Sequence, residues 1–137
     1  MSSKAAALRD LLFSLTTRVR EIRAISLVDR QGLPLVSTLG SGNLEEALGA
    51  FAGAMATQVL RAQRDFDMGQ MYMVHFLGRD RQLFVAPVHG DAAIAAIVEA
   101  HATPTTIAMH LMALTQAVLP LLPEASDDTE DSPGGPG

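Results

Sequence analysis

The sequence predicts an α+β domain with a helix at each end, a long helix in the middle and β-hairpins between them. Three observations carry this reading. Leu8, Leu11, Leu12, Leu15 and Val19 recur at helical spacing. Ile22 to Asp29 and Gln70 to Leu77 alternate in the manner of strands. Between them, Leu44 to about Asp65 runs apolar at three- and four-residue spacing with no proline.

The first helix is expected over Ala5 to Arg20. A strand follows at Ile22 to Asp29, then the polar knot Asp29-Arg30-Gln31-Gly32, then a second extended run from Leu33 to Thr38. Gly32 can take positive φ without steric penalty, so Asp29 and Gly32 are read as turn residues closing a hairpin. Pro34 lacks an N–H, which places the second strand at a sheet edge. "GSGN" precedes the long helix. Asn43 is expected to cap it, with Glu46 at capping-box spacing. Glu45 and Glu46 suit a helix N-terminus electrostatically.

This helix carries two apolar stripes. Leu44, Leu48, Phe51, Met55, Val59 and Phe66 make a broad one. Gly49, Gly53, Ala56 and Leu60 make a second, about a third of a turn away at ~100° per residue. A helix apolar on two sides is expected to be buried on two sides. One side can meet the domain's own sheet. The other, lined by small residues, would let a second backbone come close.

Gln70 to Leu77 places Met71, Met73, His75 and Leu77 on one face and Tyr72, Val74 and Phe76 on the other. Gly78-Arg79-Asp80 turns the chain into a strand at Gln82 to Val88. Asp91 to Ala102 is ambiguous. Its alanines and spacing favour a helix locally, while its β-branched residues allow a strand. Thr103-Pro104 opens a last helix, Ile107 to Leu119, which Pro120 and Pro123 end. Residues 1–120 make one domain, and 121–137 read as a disordered acidic Pro/Gly tail.

Composition excludes several functions. Cys is absent, so there is no disulfide framework, thiolate nucleophile or Cys-ligated metal, and a reduced cytoplasmic setting is expected. No apolar run approaches the roughly 18 residues of a membrane span, so direct membrane insertion is not expected. The net charge is −5, and the tail's Glu124, Asp127, Asp128, Glu130 and Asp131 account for it. The neutral body has no basic stripe, which argues against a nucleic-acid partner.

No catalytic or cofactor set is legible. "GSGN" lacks the Lys and the spacing of a phosphate-binding loop. His75, His89, His101 and His110 lack ligand spacing, so no metal is expected. Ser26, Ser37 and Ser41 have no nucleophile-elbow context. Arg79 and Arg81 flank a hairpin tip and read as solvated turn charges.

The stretches "IRAISLVDRQGLPLVST", "LGAFAGAMATQVLRAQRDFDMGQMYMVHF" and "RQLFVAPVHGDAAIAAIVEA" occur in an order that resembles the roadblock family. That family comprises dynein light-chain and bacterial GTPase-regulator domains. The resemblance covers roughly Leu8 to Leu119. It implies a profilin-like α-β-β-α-β-β-β-α order: a five-stranded antiparallel sheet, the middle helix on one face, the terminal helices on the other. It also makes Asp91 to Ala100 a strand.

The resemblance further implies a homodimer through the middle helix and third strand. Gly49, Gly53, Ala56, Leu60, Met71, Met73 and His75 are the interface residues expected on that basis. The function implied is a non-catalytic adaptor or regulator of a small Ras-like GTPase, without cofactor. A scaffold subunit of a motor or membrane-associated complex is the alternative, and a small-ligand sensor ranks last.

Overall fold

The computed structural model describes residues 3–40, 42–89 and 92–122. Its elements are α1 (Lys4–Arg18), β1 (Ile22–Asp29), β2 (Pro34–Ser37), α2 (Asn43–Asp65), β3 (Val74–Leu77), β4 (Arg81–Val88), β5 (Ala92–Glu99) and α3 (Pro104–Val118). A short 3-10 turn, Leu119–Leu121, follows α3. The strands form one five-stranded antiparallel sheet in the order β2-β1-β5-β4-β3.

Alternation along the strands divides the core in two. Ile25, Leu27, Phe84, Ile94 and Ala96 face α1 and α3, where they meet Leu12, Leu15, Ile107 and Leu111. Val28, Val85, Ala93 and Ala95 face α2, where they meet Leu48 and Ala52. The sheet is therefore sandwiched between one long helix and two shorter ones, as the fold class anticipated.

β5 is the central strand, hydrogen-bonded to β1 on one side and β4 on the other. Its alanines suit a strand covered on both faces, because small side chains let α2 sit close to the sheet. The local preference of "DAAIAAIVEA" for helix gives way here to the ladder on both sides. At its far end, the Glu99 carboxylate accepts from Arg23 at 2.7 Å and lies 3.8 Å from Arg81. One acid thus ties β1, β5 and β4 together.

Boundaries differ from the expectations at four places. α1 begins at Lys4, capped by the Ser3 hydroxyl accepting from Ala6 N at 3.0 Å, and ends at Arg18 rather than Arg20. The N-cap of α2 is Gly42, so Asn43 is already the first helical residue and its side chain caps nothing. The capping box with Glu46 therefore falls one residue out of register. The third strand pairs only from Val74, with residues 71–73 outside the ladder. At the C-terminal end, Leu122 is buried in the core, so packing continues two residues beyond the expected domain boundary at 120. Ser41, Asp91 and the acidic tail from Pro123 onward lie outside the described residues.

Candidate partner-binding surface

The β1–β2 connection is a hairpin turn built by its own residues. Asp29 Oδ1 accepts from the backbone N–H of Gln31 at 2.9 Å and of Leu33 at 3.0 Å. Gly32 sits at φ +87°, and its N–H donates to the Asp29 carbonyl at 2.9 Å. The Asp29 N–H, carbonyl and Oδ1 are thus engaged in closing the turn.

This turn packs directly on α2. A Cβ on Gly49 would collide with the Gly32 carbonyl oxygen, and one on Gly53 would stand 3.0 Å from Gly32 Cα. The expectation that Gly49 and Gly53 admit a second chain is corrected here: the backbone that comes close is the chain's own hairpin. Both residues are buried within the protomer.

The other predicted interface residues separate by face. Ala56 is half-buried and packs against the core under α2. Leu60 is 41% exposed on the outer side of the helix. Met71 is half-buried, and its N–H donates to Gln63 Oε1 at 2.6 Å. Met73 packs against the core on the α1/α3 side. His75 stacks on Phe84 on that same side, with ring centroids 4.3 Å apart and planes 17° from parallel.

A continuous exposed surface runs along the outside of α2 and the edge of the sheet. β3 is the terminal strand, so one row of its backbone N–H and C=O groups has no strand beside it among the described residues. Its residues, Val74 to Leu77, include no charge and no proline. Phe76 reaches over to α2, where its ring meets Phe51 edge-on with centroids 5.3 Å apart. Leu44, Phe51 and Leu60 on α2, Phe66 at its end and Leu77 on β3 are all exposed.

At one end of this surface lies a hollow of about 360 Å³ between α2 and the β3–β4 hairpin. Leu48, Phe76, Leu77, Leu83 and Ile97 line it, with Arg81 at its rim. The sequence reading missed Phe51, Phe76 and Leu77, because small residues drew attention away from large exposed ones. Their signal was the apolar alternation of an uncharged strand.

Two arginines of the β3–β4 hairpin are paired with acids. Arg79 bonds Asp80 through Nε and one terminal nitrogen, each at 3.1 Å, and this pairing raises the Arg79 pKa further above its usual value. Arg81 approaches Glu99. Among the described residues no three His, Cys, Asp or Glu side chains gather as a metal site, and no helix is long and apolar enough to cross a membrane. A second hollow of about 300 Å³ lies on the opposite face, beside Tyr72, Pro87, Met112 and Gln116.

Known structures share this architecture. A Roadblock/LC7 domain from Streptomyces avermitilis superposes with a TM-score of 0.74 at 19% identity, over 82% of this chain and 94% of that one. MglB from Myxococcus xanthus gives 0.77 at 11% identity, over 90% and 96%. Profilin II from Acanthamoeba castellanii gives 0.60 at 12%, over 82% and 96%, so the profilin-like layering extends beyond close relatives. Among curated proteins none matches the chain significantly. The Roadblock/LC7 domain model matches residues 8–99, which span α1 through the end of β5 and hence the whole sheet. With more than half of its length matched and the fold in agreement, the chain belongs to the Roadblock/LC7 family.

Proposed function

We propose that the chain is a non-catalytic homodimeric adaptor that binds a small Ras-like GTPase in the cytoplasm and modulates its nucleotide cycle. One observation carries this reading: the open, uncharged edge of β3 adjoins the apolar outer surface of α2. Family membership supports it, since the roadblock resemblance implies dimers through the middle helix and third strand.

Two copies joined at β3, strand antiparallel to strand, merge their sheets into one and satisfy both open edges. The same operation lays two α2 helices side by side. In this arrangement Phe51, Leu60, His75 and Leu77 would meet the second copy, with Ala56 under α2 and Met73 against the α1/α3 side of the sheet. The paired helices then form a platform broader than either chain offers alone. A GTPase whose nucleotide states differ in their fit to this platform is shifted toward the better-fitting state. Such regulation uses no catalytic residue.

The test has two parts. Light scattering of the pure protein is expected to give a dimer mass. Capture from native lysate, with a GTP analogue and again with GDP, is expected to recover a small GTPase in one state only. Equal recovery in both states favours the scaffold reading. A monomer that recovers nothing ends both.

A further inference from the structure

The second hollow, of about 300 Å³, opens between α3, the end of β4 and the connection from α2 to β3. It lies across the sheet from α2, so the partner surface proposed above leaves it open. Its volume stands at the lower end of the range for small-molecule sites, about 300–1,000 Å³.

The fold sets its walls. Residues 70–72 are tied back to α2, where the Met71 N–H donates to Gln63 Oε1 at 2.6 Å. Met112 and Gln116 stand one turn apart on α3. His89 ends β4 in the left-handed region at φ 63°, an uncommon conformation for a residue with a Cβ and one that gathers where a backbone shapes a site.

The lining has a definite chemistry. The side chains of Gln70, Tyr72 and Gln116 border the hollow and have no hydrogen-bond partner among the described residues. Each glutamine amide offers an N–H donor beside a carbonyl acceptor, and the phenol offers both from one oxygen. Met71 and Met112 add thioethers, which pack favourably against aromatic rings. None of the chain's ten Lys and Arg residues lines the hollow, so an anionic group there would have no counter-charge. No described Asp or Glu lines it either.

We infer that this hollow binds an uncharged aromatic heterocycle with an amide or amidine edge. The ring packs against Met71 and Met112. The edge makes a two-point pair with the amide of Gln70 or Gln116, as glutamine does with the adjacent donor and acceptor of adenine. Neither a second copy nor a GTPase enters this inference.

Nicotinamide and nicotinate test it, since they share a ring and differ in charge. Each is added to the full-length protein near neutral pH while side-chain NMR signals are followed. Nicotinamide is expected to give saturable shifts at the Gln70 and Gln116 amides, the Tyr72 ring and the Met112 methyl. Nicotinate is expected to bind at least about tenfold more weakly. Gln70 and Gln116 are exposed, so the double variant Gln70→Leu, Gln116→Leu should keep its unfolding midpoint while its affinity for nicotinamide falls about tenfold. No saturable shift at these signals, at any soluble concentration, overturns the site. Equal binding of the two compounds, or undiminished binding by the folded double variant, overturns it as well.

Discussion

His75 Nε2 lies 2.7 Å from Gln82 Oε1, and that contact sets the proton on the imidazole. Gln82 is 1% exposed, and its Nε2 faces the carbonyls of Glu99, Ala100 and Ala102 at 3.1, 3.3 and 2.8 Å. Carbonyls only accept, so the amide nitrogen points to them and Oε1 is left as an acceptor. His75 must therefore donate from Nε2. Nitrogen shifts in an NMR spectrum should report protonated Nε2 in neutral His75. The alternative tautomer would mean the Gln82 amide is turned around.

Gln82 also joins the edge strand to the loop that starts α3. Gln82→Leu removes the donor shared by these carbonyls; the Glu99 carbonyl keeps the Ala102 N–H, and the loss falls on the buried carbonyl of Ala102. The expected loss is about 1–3 kcal/mol of folding stability. Urea unfolding measures it, and an unchanged midpoint would show that water replaces the amide.

Gly49→Ala should destabilise the protomer by about 1–3 kcal/mol, because the added methyl meets the Gly32 carbonyl rather than space. Gly53→Leu should act the same way, on folding rather than on dimer affinity. Thermal melts at several protein concentrations separate the two. A loss independent of concentration assigns the glycines to the hairpin crossing, and a strongly concentration-dependent loss assigns them to a subunit contact.

Asp67→Gly should raise stability by about 1 kcal/mol, since a left-handed L-residue is strained and glycine is not. The greater freedom of glycine in the unfolded chain sets the ceiling on this gain. Calorimetry reads the change directly, and a lowered Tm would place the Asp67 side chain in a contact of its own.

Glu99 has a pKa below its ordinary value, chiefly because Arg23 hydrogen-bonds the carboxylate, with burial opposing and Arg23, Arg81 and His101 adding charge attraction. A depressed folded pKa adds stability above the unfolded carboxylate value of about 4.3, and that stability is lost as pH falls through the folded value. Arg23→Gln should raise the Glu99 pKa, seen by carboxyl NMR titration. It should also narrow the stability difference from wild type as the solution is acidified.

The order of elements was legible because each was marked by its own period or punctuation. Leu8 to Leu15 on α1 and Asp29 to Gly32 in the turn needed only local chemistry. β5 was not legible locally, since alanine prefers helix until two neighbouring strands supply a ladder. The glycines of α2 were recognised as a place of close approach. What approaches them was invisible, because Gly32 lies 17 positions before Gly49 and only the folded hairpin brings it there. Asn43 looked the better cap, yet the helix starts one residue earlier at a glycine. The exposed surface was read through its small residues, whereas the fold turns those inward and leaves Phe51, Phe66 and Leu77 outside.

The two rims of the sheet are chemically unlike. β2 opens with Pro34, spans four residues and pairs with β1 through an irregularity at Leu27/Val28. β3 has neither proline nor charge. A sheet sticky on both sides would add copies without limit and grow a fibre. Under the proposed dimer the β3 rim is used once, and strand pairing then stops there. In that arrangement Pro34, which has no N–H to offer a further strand, marks the rim at which the joined sheet ends.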